Sequence, residues 1–283
     1  MASLGTLFGV ELAKIVRRPM TWILVVILFG FTVLVYTSLI LALVSGFEGN
    51  VTVEGAEGQS FEDMILLPDG FSLGVGLAQG VGSVLLAILA AGTFGSEFSW
   101  GTLRTMLLMR ADRVRLLIAK LLVLLLAVVV VMLLGAAIGL FGSLVAGIVV
   151  DGSLRTDQWL TASFFRDAAR LMLIGMVYST FWTLVAAALT IVTRSLAAGI
   201  GVTMAALFVG DFTTSIIAGL GTLGRWISRI FPNTALNALS TGTDLVATDW
   251  AWIVTNLVGY TALMLAIAVV RFRRMNMISG GGG

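Results

Sequence analysis

Apolar runs separated by short polar stretches organise this chain. They fall at about 20–44, 73–95, 116–148, 168–192, 196–218 and 250–270, each nearly free of charge. At about 1.5 Å of helical rise per residue, a run of about 25 residues reaches roughly 37 Å, enough to cross about 30 Å of hydrocarbon with some tilt. The pattern predicts an all-α membrane protein with six transmembrane helices. The run at 116–148 is overlong, so part of it should tilt or project. Residues 3–18 follow a helical period of another kind. Leu4, Phe8, Leu12, Ile15 and Val16 share one arc, and Glu11, Lys14 and Arg18 the neighbouring one. This predicts an N-terminal interfacial helix within 1–19, broken by Pro19 before the first span. Residues 219–248 are rich in Gly and Thr, and the pieces on either side of Pro232 are too short to cross. They predict two short re-entrant helices in the outer interface, allowed where protein or water covers the backbone.

Composition narrows the class. The chain has 283 residues, 59% hydrophobic and 11% charged, where a soluble domain carries about 25% charged residues. So much apolar surface requires lipid as solvent. The run at 20–44 exceeds a signal-peptide core and no Ala-x-Ala site follows, so it is expected to be a retained span. Gly280 to Gly283 read as a linker remnant, leaving 1–279 as a single transmembrane domain. There is no Cys and no His, which removes disulfides, the commonest metal ligands and the commonest general base. The spans hold no clustered acids, so a membrane-embedded enzyme is a poor reading. Catalytic, cofactor and metal sites are expected to be none. No G-x-x-x-x-G-K-[ST] occurs. Gly219-Leu-Gly221-Thr-Leu-Gly224 spells G-x-G-x-x-G but follows no predicted strand, and reads as a closely packed turn.

Charge placement sets the expected orientation. Residues 45–72 hold six acids and no base, an outer loop by the positive-inside rule. That loop includes the sequon Asn50-Val51-Thr52. Six spans put both termini on the cytoplasmic side, where 12 of the 17 bases then fall. Residues 97–120 form a basic island with five of them. Gly101, Arg104, Thr105 and Leu108 share one helical face, and Phe98, Met106 and Met109 group on another. Read from charge alone, the island is either a topology signal or a contact for a soluble partner.

Glu97-x-x-x-Gly101-Thr102-Leu103-Arg104, followed by Arg113 and Lys120, resembles the cytoplasmic loop of type-2 ATP-binding cassette (ABC) exporter permeases. Glu11-Leu-Ala-Lys14-Ile-Val-Arg17 before the first span is similar to that family's interfacial elbow helix, and Pro232 suits its re-entrant outer helices. The family usually has a Pro two residues before the loop Arg, where this chain has Ala111. The resemblance implies a cytoplasmic coupling helix in the loop 97–115, docked on a separate ATPase subunit. It implies Glu97, Gly101, Thr102, Arg104 and Arg113 as the ATPase-coupling residues. It also implies a second permease chain as partner, export of a hydrophobic or amphipathic cargo, ATP and Mg on the ATPase and not on this chain, and a bacterial inner membrane. Nucleic acid is not an expected partner.

Two further candidates come from the spans themselves. Asp211 is the one ionisable residue well inside an apolar run, so a functional role is its default reading. It could face a translocation path, pair with Arg225 or Arg229, or cap a helix after Gly210. Gly76-x-x-x-Gly80 could let helices of two chains approach closely, although Gly is common in membrane helices. The alternative for the whole chain is an ATP-independent channel or secondary transporter. Against it stand the single intramembrane carboxylate and the lack of a paired inverted repeat.

Overall fold

A computed structural model describes residues 3–45, 64–99, 113–150, 152, 159–241 and 247–273. Among these residues the protein is all-helical: α1 Leu4–Arg17, α2 Pro19–Val44, α3 Asp69–Ser99, α4 Arg113–Val150, α5 Ala162–Thr193, α6 Leu196–Gly219, α7 Thr222–Ser228, α8 Pro232–Thr241 and α9 Ala247–Arg273. Helices α2, α3, α4, α5, α6 and α9 are each long and apolar enough to cross a membrane. In a bilayer this is forced, because every backbone polar group must be satisfied inside its own segment. At 38 residues α4 is about 57 Å long, overlong as its sequence predicts. Helix α5 starts six residues before its apolar run. Those added residues end on a charged pair, Arg166 and Asp167, which remain 79% and 63% exposed with Nε and Oδ1 3.5 Å apart.

Local chemistry explains the breaks. Ser3 caps α1, its Oγ accepting from the Thr6 N–H at 3.2 Å. Arg18 is extended, and Pro19 then opens α2, where its missing N–H costs nothing. Between α5 and α6, Arg194 takes a left-handed φ of 56° and Ser195 caps α6 through the Ala198 N–H. Gly219 ends α6, Leu220 and Gly221 make the turn, and Gly224 lies in the first turn of α7. Gly221 has φ 85°, and a Cβ on Gly224 would lie 1.9 Å from the Ile217 carbonyl oxygen.

The described chain divides into two compact units, Trp22–Gly82 with Val128–Val177, and Met1–Thr21 with Ser83–Ala127 and Tyr178–Gly283. The first unit is held by small-residue packing and a buried tyrosine. A Cβ on Gly74 of α3 would lie 2.4 Å from the Gly139 Cα of α4, and one on Gly135 would lie 2.2 Å from the Ala78 Cβ. The two backbones therefore touch where glycine permits it. Buried Tyr36 donates from its hydroxyl to the Gly70 carbonyl and packs with Ile65, Leu66 and Ala146. In the second unit α6 packs on α7 and α8, and α8 on α9.

Candidate functional site

Four charged side chains meet inside the second unit. Lys120, in the second turn of α4, is 0% exposed. Its Nζ donates to Glu11 Oε2 of α1 and to Glu97 Oε1 of α3, both at 2.6 Å. Lys14 donates to Glu11 Oε1 at 2.6 Å and lies 3.6 Å from Glu97 Oε1. The ring of Phe94 sits 5.9 Å from the Lys120 ammonium. Two carboxylates and two ammoniums make the cluster neutral, which lets it sit among apolar helices.

The sequence builds this cluster by turning α1 against its expected polarity. Glu11 and Ile15 are the buried residues of α1, while Leu4, Val10 and Val16 are exposed. Glu11 of the polar arc faces protein beside Ile15, while Leu4 and Val16 of the apolar arc face out. Arg18 Nη1 donates to the Gly92 carbonyl at 3.4 Å, and Thr21 Oγ1 to the Ile15 carbonyl at 2.7 Å, so both ends of the α1–α2 corner are tied. Burial by itself would raise the Glu11 carboxyl. The Lys120 ammonium, with help from Lys14, outweighs it and holds the carboxyl below its ordinary value. Glu97 sits in the last turn of α3, where the helix dipole disfavours an acid. Two nearby ammoniums offset that. Its Oε2 is buried with no hydrogen-bond partner among the described residues.

The structure distributes the expected site residues unevenly. Glu97 is in the cluster, its side chain 4% exposed. Gly101, Thr102 and Arg104 lie outside the described residues, as does the sequon. Arg113 is the first residue of α4. Gly76 and Gly80 are exposed, and a Cβ on either meets nothing within 4 Å. The packing of α3 on α4 uses Gly74 instead. Asp211 lies inside the continuous helix α6, so it does not cap a helix start. Nor is it an ion-pair partner of Arg225 or Arg229. Its Oδ1 accepts from the amides of Asn233 at 2.9 Å and Asn237 at 3.1 Å, one turn apart on α8. Two amide dipoles satisfy a membrane carboxylate without adding a second charge.

Sequence reading placed Glu11 and Lys14 in one motif and Glu97 and Lys120 in another, and missed that the four form one site. The available signal was Lys120 itself, set four residues inside an apolar run where a lone ammonium is costly. It also missed a group at the start of α9. The Arg229 guanidinium lies between the rings of Trp226 and Trp252, 5.2 and 5.3 Å from their centres, with Asp249 Oδ1 3.7 Å from Nη2.

Among the described residues, six helices long and apolar enough to cross a membrane define a polytopic membrane protein. The chain belongs to the ABC-2 family transporter protein family, whose model matches residues 7–210. The match runs from α1 into α6 and contains all four residues of the buried cluster. No curated protein matches the chain.

Proposed function

We propose that this permease subunit pairs with a second permease chain and two cytoplasmic ATPase subunits to export a hydrophobic or amphipathic cargo. ATP and Mg bind the ATPases, and their closure pushes on the loop between α3 and α4. Both termini face the cytoplasm, α1 is the elbow helix at that surface, and α7 and α8 are the re-entrant helices of the opposite side. The exposed, unfilled face at Gly76 and Gly80 is where the second permease chain packs.

The buried cluster carries this reading. Glu97 and Lys120 flank the loop on its two sides, and from α1 Glu11 holds Lys120 while Lys14 lies by Glu97. A push on the loop therefore moves the ends of α3, α4 and α1 together, as a rigid lever that shifts one conformational balance. Glu97 is spent on this brace, which leaves Gly101, Thr102 and Arg104 as the residues that touch the ATPase. Replacing Arg104 by Glu reverses a charge at that contact and leaves the brace intact. Co-purified ATPase and cargo export, compared with wild type, should both fall about tenfold, the value of one charge-assisted contact. Unchanged docking and export would reduce the loop to a topology signal.

A further inference from the structure

The short segment from α7 to α8 carries an unusually exposed apolar surface. Leu220, Leu223, Trp226, Ile227 and Ile230 all point outward, Leu223 at 73% exposure. Its last carbonyls are nevertheless satisfied. Trp252 Nε1 and Asn256 Nδ2 each donate to the Arg229 carbonyl at 3.0 Å, and Tyr260 donates to the Ile230 carbonyl at 3.0 Å. These three donors repeat every fourth residue along one face of α9. So α9 holds the end of α7 in place through its backbone, in a setting where lipid could not.

An open pocket of about 580 Å³ results, lined by Trp226, Arg229, Ile230, Trp252, Thr255 and Asn256 among others. Arg229 is its one cation, 44% exposed. Both indole rings lie within 5.3 Å of the guanidinium carbon, and the N–H groups still need oxygen. Asp249, 34% exposed, is an ion-pair neighbour at 3.7 Å, beyond hydrogen-bond length. The guanidinium donates no hydrogen bond to a described side chain. Asp249 lies in the first turn of α9, so both charges sit at one end of a spanning helix, the depth of lipid headgroups.

We propose that this pocket seats a zwitterionic phospholipid of the bilayer, of the phosphatidylethanolamine type. The phosphate takes the N–H edge of Arg229 as a charge-assisted, two-point contact. The primary ammonium sits on Asp249. The acyl chains run along the exposed Leu223, Ile227 and Ile230. Net charge decides between headgroups: Arg229 and Asp249 cancel, so an anionic headgroup meets a carboxylate that has no cation to take. A choline headgroup has no N–H to give Asp249, and the indole faces that would bind it are already covered by Arg229. Arg225, one turn earlier on α7, is exposed and outside the pocket lining.

The test is native mass spectrometry of the purified full chain, titrated with dioleoyl phosphatidylethanolamine, phosphatidylglycerol and phosphatidylcholine. The ethanolamine lipid should bind about tenfold more tightly than the other two. Arg229→Gln should abolish the preference. Asp249→Asn should retain binding and transfer the preference to phosphatidylglycerol, since the guanidinium then stands without its carboxylate. Glycerophosphoethanolamine, the headgroup without chains, should not compete at equal concentration. Equal binding of all three lipids to wild type overturns the proposal, as does a preference that survives Arg229→Gln or fails to change in Asp249→Asn. Competition by the chain-free headgroup would overturn the lipid as occupant.

Discussion

Lys120 and Arg229 are both cations placed among apolar helices of one unit. Lys120 is fully enclosed, and two carboxylates accept hydrogen bonds from it at 2.6 Å. Arg229 is nearly half exposed, and two indole rings cover it while its one acid stays at 3.7 Å. The difference follows from the ions. An ammonium is compact and strongly hydrated, so oxygen must replace its water completely. A guanidinium is planar and weakly hydrated, so aromatic faces can replace part of its water and leave the edge open. A closed, neutral cluster braces the chain from within. An open, half-satisfied cation is left to be completed from outside.

The comparison breaks most directly at Lys120. Lys120→Met leaves Glu11 and Glu97 buried together without their shared ammonium. Removing one partner of such a cluster costs about 3–5 kcal/mol. Arg229→Gln should cost only about 1 kcal/mol, because exposed cation–π contacts and ion pairs are weak. Thermal unfolding of the two variants in one detergent ranks them. Similar losses would mean that the two cations are held with equal strength and that burial does not separate them.

Acid gives a gentler handle on the same contrast. The Glu11 carboxyl is held below its ordinary value of 4.5 by Lys120 and Lys14 against burial. A depressed carboxyl contributes stability that is fully present above the unfolded value and is lost as pH falls through the folded one. Wild type and Arg229→Gln should therefore both weaken as pH drops below about 4.5. Glu11→Gln should show a shallower fall over that window, starting from lower stability at pH 7. Melting temperatures across pH 3.5–7 (about the carboxylate range) would check it. A fall in Glu11→Gln as steep as in wild type would remove Glu11 from the acid response.

Helices were legible because lipid imposes one rule on long apolar runs, and the six runs became six helices with ends shifted by a few residues. Even the corner at Pro19 and the turn at Arg194 followed from local chemistry. The sites were less legible, for a physical reason. Helical periodicity says which residues share a face but not whether that face meets protein or lipid. In α1 the polar arc around Glu11 turned inward, the reverse of a water-facing helix. Asp211 stood out as a carboxylate inside an apolar run, but its partners are the neutral Asn233 and Asn237, which no charge pattern marks. Likewise nothing in the spacing of Trp226 and Trp252 showed that both rings lie against Arg229.

Exchanging the two cation types sharpens the comparison at the smallest scale. Lys120→Arg keeps the charge but puts a larger, planar group into a site with no exposure. Overpacking of that kind costs about 1–3 kcal/mol. The fork would also have to satisfy its extra N–H groups where only Glu11 and Glu97 face it. Arg229→Lys keeps the charge at the open site and fits easily. It changes the guanidinium's contacts with the Trp226 and Trp252 rings, worth about 0.5–1 kcal/mol at an exposed position. The direct readout is the melting-temperature change of each exchange, measured beside the neutral variants at the same positions. Lys120→Arg should recover part of the stability that Lys120→Met loses, since its charge still answers two carboxylates. Arg229→Lys should differ little from wild type. If Arg229→Lys proved the more damaging of the two, the indole pair would be the stiffer site and the carboxylate cluster the adaptable one.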